Sequence, residues 1–377
     1  MKILFTGGGT AGHINPALAI ADYVCKREED IEILYVGNKD GMEERLVPQA
    51  GYKMETITVS GIQRKLTPQN IAKNVRAVVR IFTSSAEAKK IIKNFNPDVC
   101  VGTGGYVSGP VIREAAKLGY PCVIHESNAY PGVTTKMLAK SVNTVMLVFT
   151  DAKTRLDASA NCKVTGNPVR GEVLAAEREE SRKALGLDER PFILSFGGSL
   201  GASALNSAVA AMLFESAKTK KFQHVHGYGQ HDEDFLPKIK EYGINLEENP
   251  QITLVEYINN MAQCLSAADL VIGRAGANTV TEIEAKAKAA ILIPSPNVAE
   301  NHQYHNAMAL VNRGAAKIIE DKNLTGEVLW EMTEKLIADE DELRSLGENA
   351  GKMEIVNANE RIYRVIKSAA RVGRSRK

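Results

Sequence analysis

Short apolar runs and longer amphipathic stretches alternate along this chain. Ile3-Leu4-Phe5 is followed by ALAIADYVCKRE, IEILYV by MEERLVPQAG, PDVCVG by VSGPVIREAAKLG, and PCVIHE by TTKMLAK. Apolar runs of this length read as strands buried on both faces, and the stretches between them read as helices that cover those faces. Such alternation predicts a parallel sheet with helices on both sides. The pattern then restarts at Pro191. In PFILSFGGSLGAS, Ile193-Leu194 stands where Ile3-Leu4 stood and Gly197-Gly198-Ser199 where Gly7-Gly8-Gly9 stood; FQHVHG, QITLVEY, ADLVIG, AAILIP and AAKIIE each lead into a further helical stretch.

The expected fold class is therefore α/β, with two tandem Rossmann-like domains facing each other across a cleft. Their expected extents are 1–165 and 166–352, with a helix and basic tail over 353–377 returning to the N-terminal domain. A charged connection with a short helix, Ala175 to Arg190, lies between the two patterns. Ligands of open parallel sheets gather at the carboxyl ends of the strands, so the loops that follow the apolar runs are where chemistry is expected.

Composition narrows the function classes. A length of 377 residues with 44% hydrophobic content suits two domains with ordinary cores. The balance of 47 basic against 45 acidic side chains gives no reason to expect a nucleic-acid partner. Cys25, Cys100, Cys122, Cys162 and Cys264 form no C-x-x-C pair and read as reduced packing thiols of a cytoplasmic protein. The run before the first glycines is too short for a signal peptide, and no apolar run approaches the roughly 18 to 20 residues of a membrane span. No metal is expected. Asp232-x-Asp234 and Asp339-x-Asp341 sit in charged, helix-like stretches, and His224, His226 and His231 lack a convincing fourth ligand.

Two loops carry the candidate chemistry. Gly7-x-Gly9-x-x-Gly12 formally satisfies a dinucleotide fingerprint, yet the second strand ends in Gly37-Asn38 with no acid before Asp40 to hold a ribose. A triphosphate loop is excluded as well, because His13-Ile14 stands where Lys-Ser/Thr is required. His13, at a helix start, could take a proton from an alcohol; its alternatives are to cap the helix or to pack against Pro16. In the second half, Val271 to Glu282 (VIGRAGANTVTE) runs from a strand through Gly276 into a helix. The amides of Ala277 to Thr279 could hold a pyrophosphate with Arg274 adding charge, and Glu282 could accept from both ribose hydroxyls. As alternatives, Glu282 is a solvated helix residue and Arg274 a surface charge. Ser199 adds a donor for phosphate oxygens or is ordinary turn chemistry.

Taken together, GGGTAGHINPALAIA, GTGGYVSGP, HESNAYPG, GNPVR, FGGSLGA, EYINNM, GRAGANTVTE and PSPNVAENHQYHNA closely resemble the inverting, two-Rossmann (GT-B type) glycosyltransferases of peptidoglycan synthesis. The resemblance spans nearly the whole chain. It implies transfer of N-acetylglucosamine from UDP-GlcNAc, a substrate rather than a cofactor, to the C4 hydroxyl of lipid I (undecaprenyl-pyrophosphoryl-MurNAc-pentapeptide), giving lipid II through a β-1,4 linkage. By motif position it implies that Thr10, Ala11, Gly12, Asn128, Arg170 and Ser199 contact the donor and that Ile258 meets the uracil through its backbone. It further places Ala277, Asn278, Thr279, Val280, Thr281 and Glu282 around pyrophosphate and ribose, with Gln303 and Asn306 near the sugar. His13 is the expected base, and Gly105 and Tyr106 fall on the acceptor side. A UDP-GlcNAc epimerase, another lipid glycosyltransferase on the same fold and a non-catalytic nucleotide-binding module are the rival readings.

A lipid acceptor requires a visit to the bilayer. Ile71, Val75, Val79 and Phe82 recur at helical spacing beside Arg76 and Arg80, in a stretch whose charges are almost all basic. Apolar residues rimmed by cations suit an anionic membrane surface, so a peripheral location on the cytoplasmic face of the cell membrane is expected. Core packing is the alternative for such a stripe, and the basic tail ERIYRVIKSAARVGRSRK is a second membrane candidate or a helix packed on the first domain.

Overall fold

The computed structural model describes residues 1–59, 83–198, 200–355 and 357–375. The expected membrane residues Ile71, Val75, Arg76, Val79, Arg80 and Phe82, and the donor candidate Ser199, lie outside the described residues. The chain divides into two units, Met1–Pro168 with Ile355–Lys377, and Val169–Glu354.

In the first unit, strands β1 (Lys2–Thr6), β2 (Glu32–Asn38), β3 (Lys53–Ile57), β4 (Val99–Gly102), β5 (Cys122–Glu126), β6 (Thr144–Leu147) and β7 (Cys162–Val164) form a sheet in the order β3-β2-β1-β4-β5-β6-β7. Each neighbouring pair runs parallel, with Ile3 opposite Ile33 on one side of β1 and opposite Val99 on the other. Helices α1 (Ala11–Cys25), α2 (Glu43–Gln49), α3 (83–95), α4 (Gly105–Lys117) and α5 (Val133–Leu138) alternate with these strands. The pleat sends Ile3 and Phe5 to one core and Leu4 to the other, which explains why the strands read as continuous apolar runs rather than alternating ones. Ala88, Ile91 and Ile92 of α3 are buried in the second of these cores.

The second unit repeats the plan. Helix α6 (Gly171–Ala175) precedes the charged connection and α7 (Arg178–Ala184) is its short helix, from which Arg178 and Arg182 both reach Asp269 ahead of the central strand. Strands β8 (Phe192–Phe196), β9 (Gln223–Gly227), β10 (Ile252–Val255), β11 (Leu270–Gly273), β12 (Ala289–Leu292) and β13 (Lys317–Ile318) lie in the order β10-β9-β8-β11-β12-β13, again parallel throughout. Their helices are α8 (Ser203–Thr219), α9 (Phe235–Glu241), α10 (Met261–Ala267), α11 (Ala277–Ala285), α12 (His302–Val311), α13 (Gly326–Ala338) and α14 (Glu340–Met353).

The chain then enters α15 (Ala358–Arg374), which belongs to the first unit. Ile362, Tyr363, Val365, Ile366, Ala369 and Ala370 fall three and four apart and are buried in the core that holds Ile3 and Phe5. Lys367 pairs with Glu28 at 2.6 Å, and Tyr23 donates to Glu360 at 2.9 Å. The basic carboxyl-terminal stretch is thus one face of a helix whose other face is core.

Candidate functional site

In both sheets the strand order reverses direction beside the first strand of the unit: at β1 and β4 in the first, at β8 and β11 in the second. Crossovers leave such a pair toward opposite sides and open a crevice at its carboxyl ends. The loops over these four strand ends begin at Gly7, Thr103, Gly197 and Arg274, within the segments singled out by the sequence.

In the first unit Thr10 is the N-cap of α1 and is exposed, its side chain making no capping bond; Ala11, Gly12 and His13 form the first turn. His13 is therefore not the cap. Its Nδ1 lies 3.1 Å from the carbonyl oxygen of Thr103, and the Thr103 hydroxyl donates back to the His13 carbonyl at 2.7 Å. A carbonyl can only accept, so Nδ1 carries the ring proton and Nε2 keeps its lone pair. The two loops meet at distances only glycine allows. A Cβ at Gly7 would stand 2.1 Å from Thr103 Oγ1, and one at Gly105, whose φ is +77°, would stand 2.1 Å from the Gly8 carbonyl oxygen. Tyr106 is partly exposed beside Gly105, and its hydroxyl accepts from Asn38 Nδ2 at 3.3 Å.

Asn128 is placed by a residue that sequence reasoning passed over. Glu126 ends β5 buried, and its Oε1 accepts from the Asn128 amide at 3.0 Å and from Asn128 Nδ2 at 3.1 Å. Its Oε2 takes the Thr135 hydroxyl at 2.6 Å and the Gly132 amide at 2.9 Å. His125 is fully buried, donates Nε2 to the Gly166 carbonyl at 3.1 Å and has its pKa lowered by that burial. It ties the HESN loop to the GNPV loop.

In the second unit Gly276 caps α11 and Ala277 is its first residue. Asn278 and Thr279 are partly exposed, whereas Val280 and Thr281 are buried and the Thr281 hydroxyl bonds back to the Ala277 carbonyl at 2.9 Å. Only Thr279 of the two expected hydroxyls is turned outward. Glu282 is paired with Arg170, Nη2 to Oε1 at 3.2 Å, and Arg170 also holds Glu172 at 2.8 Å. Burial pushes the Glu282 carboxyl up, and the Arg170 guanidinium pulls against that rise. Ile258 is buried in the loop after β10.

Arg274, Asn306 and Gln303 have partners that the sequence did not show. Arg274 is no free cation, since its guanidinium pairs with Asp321 and donates to the Ile293 carbonyl; Asp321 is 47 residues away and gave no signal. Asn306 is fully buried and donates to the Ala275 carbonyl at 3.1 Å, which braces the turn before α11. Gln303 uses Oε1 to accept from the Ser295 amide at 2.8 Å, which leaves Nε2 as its donor.

The histidines of β9 form a relay rather than a cation cluster. Asn206 donates Nδ2 to the Tyr228 carbonyl and to Asp232, so its Oδ1 accepts from His226 Nε2 at 3.2 Å. His226 Nδ1 then accepts from Ser195 Oγ at 2.7 Å, and Ser195 Oγ from His224 Nε2 at 2.6 Å. Burial lowers the pKa of both, His226 to about 3, and keeps them neutral. Asp339 caps α14 by accepting from the Glu342 amide at 2.9 Å, and Asp341 pairs with Arg344. Among the described residues no group of three or more His, Cys, Asp or Glu side chains is gathered as a metal site requires.

The chain is similar to known proteins over nearly its whole length. The N-terminal domain of glycosyltransferase family 28 matches residues 3–147, and the C-terminal domain of that family matches residues 192–362. The UDP-N-acetylglucosamine--N-acetylmuramyl-(pentapeptide) pyrophosphoryl-undecaprenol N-acetylglucosamine transferase of Acetivibrio thermocellus is 44% identical, over 97% of this chain and 98% of that protein. The enzyme of the same name from Lactococcus lactis is 39% identical, over 98% of this chain and 100% of its own. Among solved structures, MurG of Acinetobacter baumannii superposes with a TM-score of 0.77 at 29% identity, covering 97% of this chain and 99% of that one. A putative UDP-N-acetylglucosamine 2-epimerase from Listeria monocytogenes reaches a TM-score of 0.68 at 14% identity and shares the fold alone. Two matched domains and full-length relatives of this identity place the argument beyond fold likeness: the chain belongs to glycosyltransferase family 28, within its MurG group.

Proposed function

We propose that this chain transfers N-acetylglucosamine from UDP-GlcNAc to the C4 hydroxyl of the MurNAc residue of lipid I, forming lipid II for peptidoglycan, with inversion at the anomeric carbon. The observation that supports His13 as the base is its bond to the Thr103 carbonyl, which fixes the tautomer with a lone pair on Nε2. The acceptor O4 forms a bond to the anomeric carbon as the bond from that carbon to the phosphate oxygen breaks. The O4 proton passes to Nε2 and UDP departs with the electron pair. The first unit serves the acceptor through His13, Gly105 and Tyr106. The second holds the donor: Ile258 faces the uracil, the opening amides of α11 take the diphosphate, Glu282 braced by Arg170 accepts from the ribose, and Gln303 Nε2 reaches the sugar. Thr10, Ala11, Gly12 and Asn128 complete the donor contacts from the first unit's loops.

Incubation with UDP-GlcNAc alone, then with a lipid I analogue, separates this reading from its rivals, because an epimerase consumes donor without acceptor and a binding module consumes neither. His13→Ala is expected to cost about 10²- to 10⁴-fold in turnover with donor affinity nearly intact. Equal loss of donor affinity in His13→Ala and Glu282→Ala would overturn this division of labour.

We further propose that the chain works on the anionic cytoplasmic surface of the membrane, which its polyprenyl acceptor requires. Among the described residues no helix is long and apolar enough to cross a membrane. Each near-surface cation contributes about 1 kcal/mol, so reversing the charges of Arg76 and Arg80 is expected to weaken sedimentation with anionic vesicles. Unchanged sedimentation would remove these residues from the contact.

A further inference from the structure

Glu43 belongs to none of the motifs that the sequence offers, yet it is fully buried directly beneath the glycine loop. Its two carboxylate oxygens serve two different backbone amides. Oε1 accepts from Asn38 at the end of β2 at 2.8 Å, and Oε2 accepts from Gly9 at 3.3 Å. Three glycines make room for it: a Cβ at Gly8, Gly37 or Gly41 would come within 2.2, 2.5 or 2.6 Å of its side-chain atoms. A carboxylate suits this place because both of its oxygens only accept, whereas a carboxamide must offer a donor to one of two amides that are themselves donors.

Two arms lead from Glu43 to groups on the acceptor side. One runs through Gly9, whose φ of +83° turns the chain into the cap of α1 and so sets where His13 begins. The other runs through Asn38, whose Nδ2 donates to the Tyr106 hydroxyl and whose Oδ1 accepts from the Val59 amide at 2.8 Å. Tyr106 closes the circuit, since a Cβ on Gly9 would lie 2.6 Å from its ring. The Tyr35 hydroxyl also holds the loop, donating to the Gly7 carbonyl at 2.8 Å.

We propose that Glu43 is a positioning residue for the acceptor: it touches no substrate, and it fixes the glycine loop and Tyr106 so that His13 Nε2 meets the acceptor hydroxyl. This rests on the reading that the first unit serves the acceptor. The groups reached from Glu43 through Gly9 and Asn38 are His13 and Tyr106, so its loss is expected to fall more heavily on the acceptor than on the donor, whose contacts from Thr10 to Gly12 are a small part of the donor site.

The test compares the full-length wild type with Glu43→Gln and Glu43→Asp, measuring kcat, KM for a lipid I analogue, and Kd for UDP-GlcNAc by calorimetry. Glu43→Gln is expected to lower kcat/KM for the acceptor at least tenfold with a clearly smaller change in the donor Kd. Glu43→Asp, which keeps two accepting oxygens on a shorter stem, is expected to recover part of the loss and supplies the same reading if Glu43→Gln does not fold. Acceptor parameters within twofold of wild type, or donor affinity lost to the same extent, overturn the proposal. A wild type that transfers no sugar defeats the functional reading and this proposal with it, whereas an active wild type with indifferent variants defeats the role of Glu43 alone.

Discussion

Arg170 and Glu282 show how one contact can decide the behaviour of a residue proposed to bind the donor. Burial raises the Glu282 carboxyl pKa, and Arg170 at 3.2 Å opposes that rise, so the contact favours the ionised form that desolvation disfavours. An ionised carboxylate accepts from two ribose hydroxyls; a protonated one loses half of that capacity. Donor affinity is therefore expected to be present at neutral pH and to be lost as pH falls through the raised Glu282 pKa, earlier than an ordinary carboxylate would lose it. Removing Arg170 lifts the pKa further and moves that loss to higher pH. Arg170→Ala and Glu282→Ala should each weaken UDP-GlcNAc binding about tenfold, and the double variant should be little worse than either single, with a coupling energy of about 1 to 2 kcal/mol. Calorimetric titration across pH checks both the coupling and its sign, and strictly additive losses would show that the two residues act separately.

At the scale of elements, what could be read in advance followed from local chain chemistry. Strand runs, helix stripes and the glycine turns after β1, β4, β8 and β11 all announce themselves within a dozen residues, because burial on both faces, 3.6-residue spacing and close backbone approach each leave a local mark. The helix start at Ala277 was legible for the same reason. Partners set by the crossovers were not. His13 gains its tautomer from Thr103, 90 residues on, and Arg274 loses its freedom to Asp321. Glu43 and Glu126 sit at strand and helix ends like many solvated acids, and only the assembled sheet shows what they hold. The inward bond of Thr281 was not legible for a geometric reason, since a hydroxyl one turn into a helix can bond to the carbonyl four residues back.

The whole molecule is two sheets on one chain that crosses between units twice, once near Pro168 and once near Glu354. The second crossing delivers α15 to the first unit, where Ile362, Tyr363, Val365 and Ile366 are buried in the core. At about 2 kcal/mol for each large side chain, their burial contributes on the order of 8 kcal/mol, an upper bound measured against an extended chain. The surface pairs of Glu28 and Glu360 add little beside it, because exposed ion pairs are worth about 0 to 1 kcal/mol each. A domain is stable by only about 5 to 15 kcal/mol, so the first unit cannot spare this helix. A chain ending at Met353 is expected to lose amide-exchange protection across β1, β4 and β5 while β8 and β11 keep theirs, and to retain UDP binding while transfer is abolished. Protection kept in β1 by that shortened chain would mean that α15 covers the first core without supporting it.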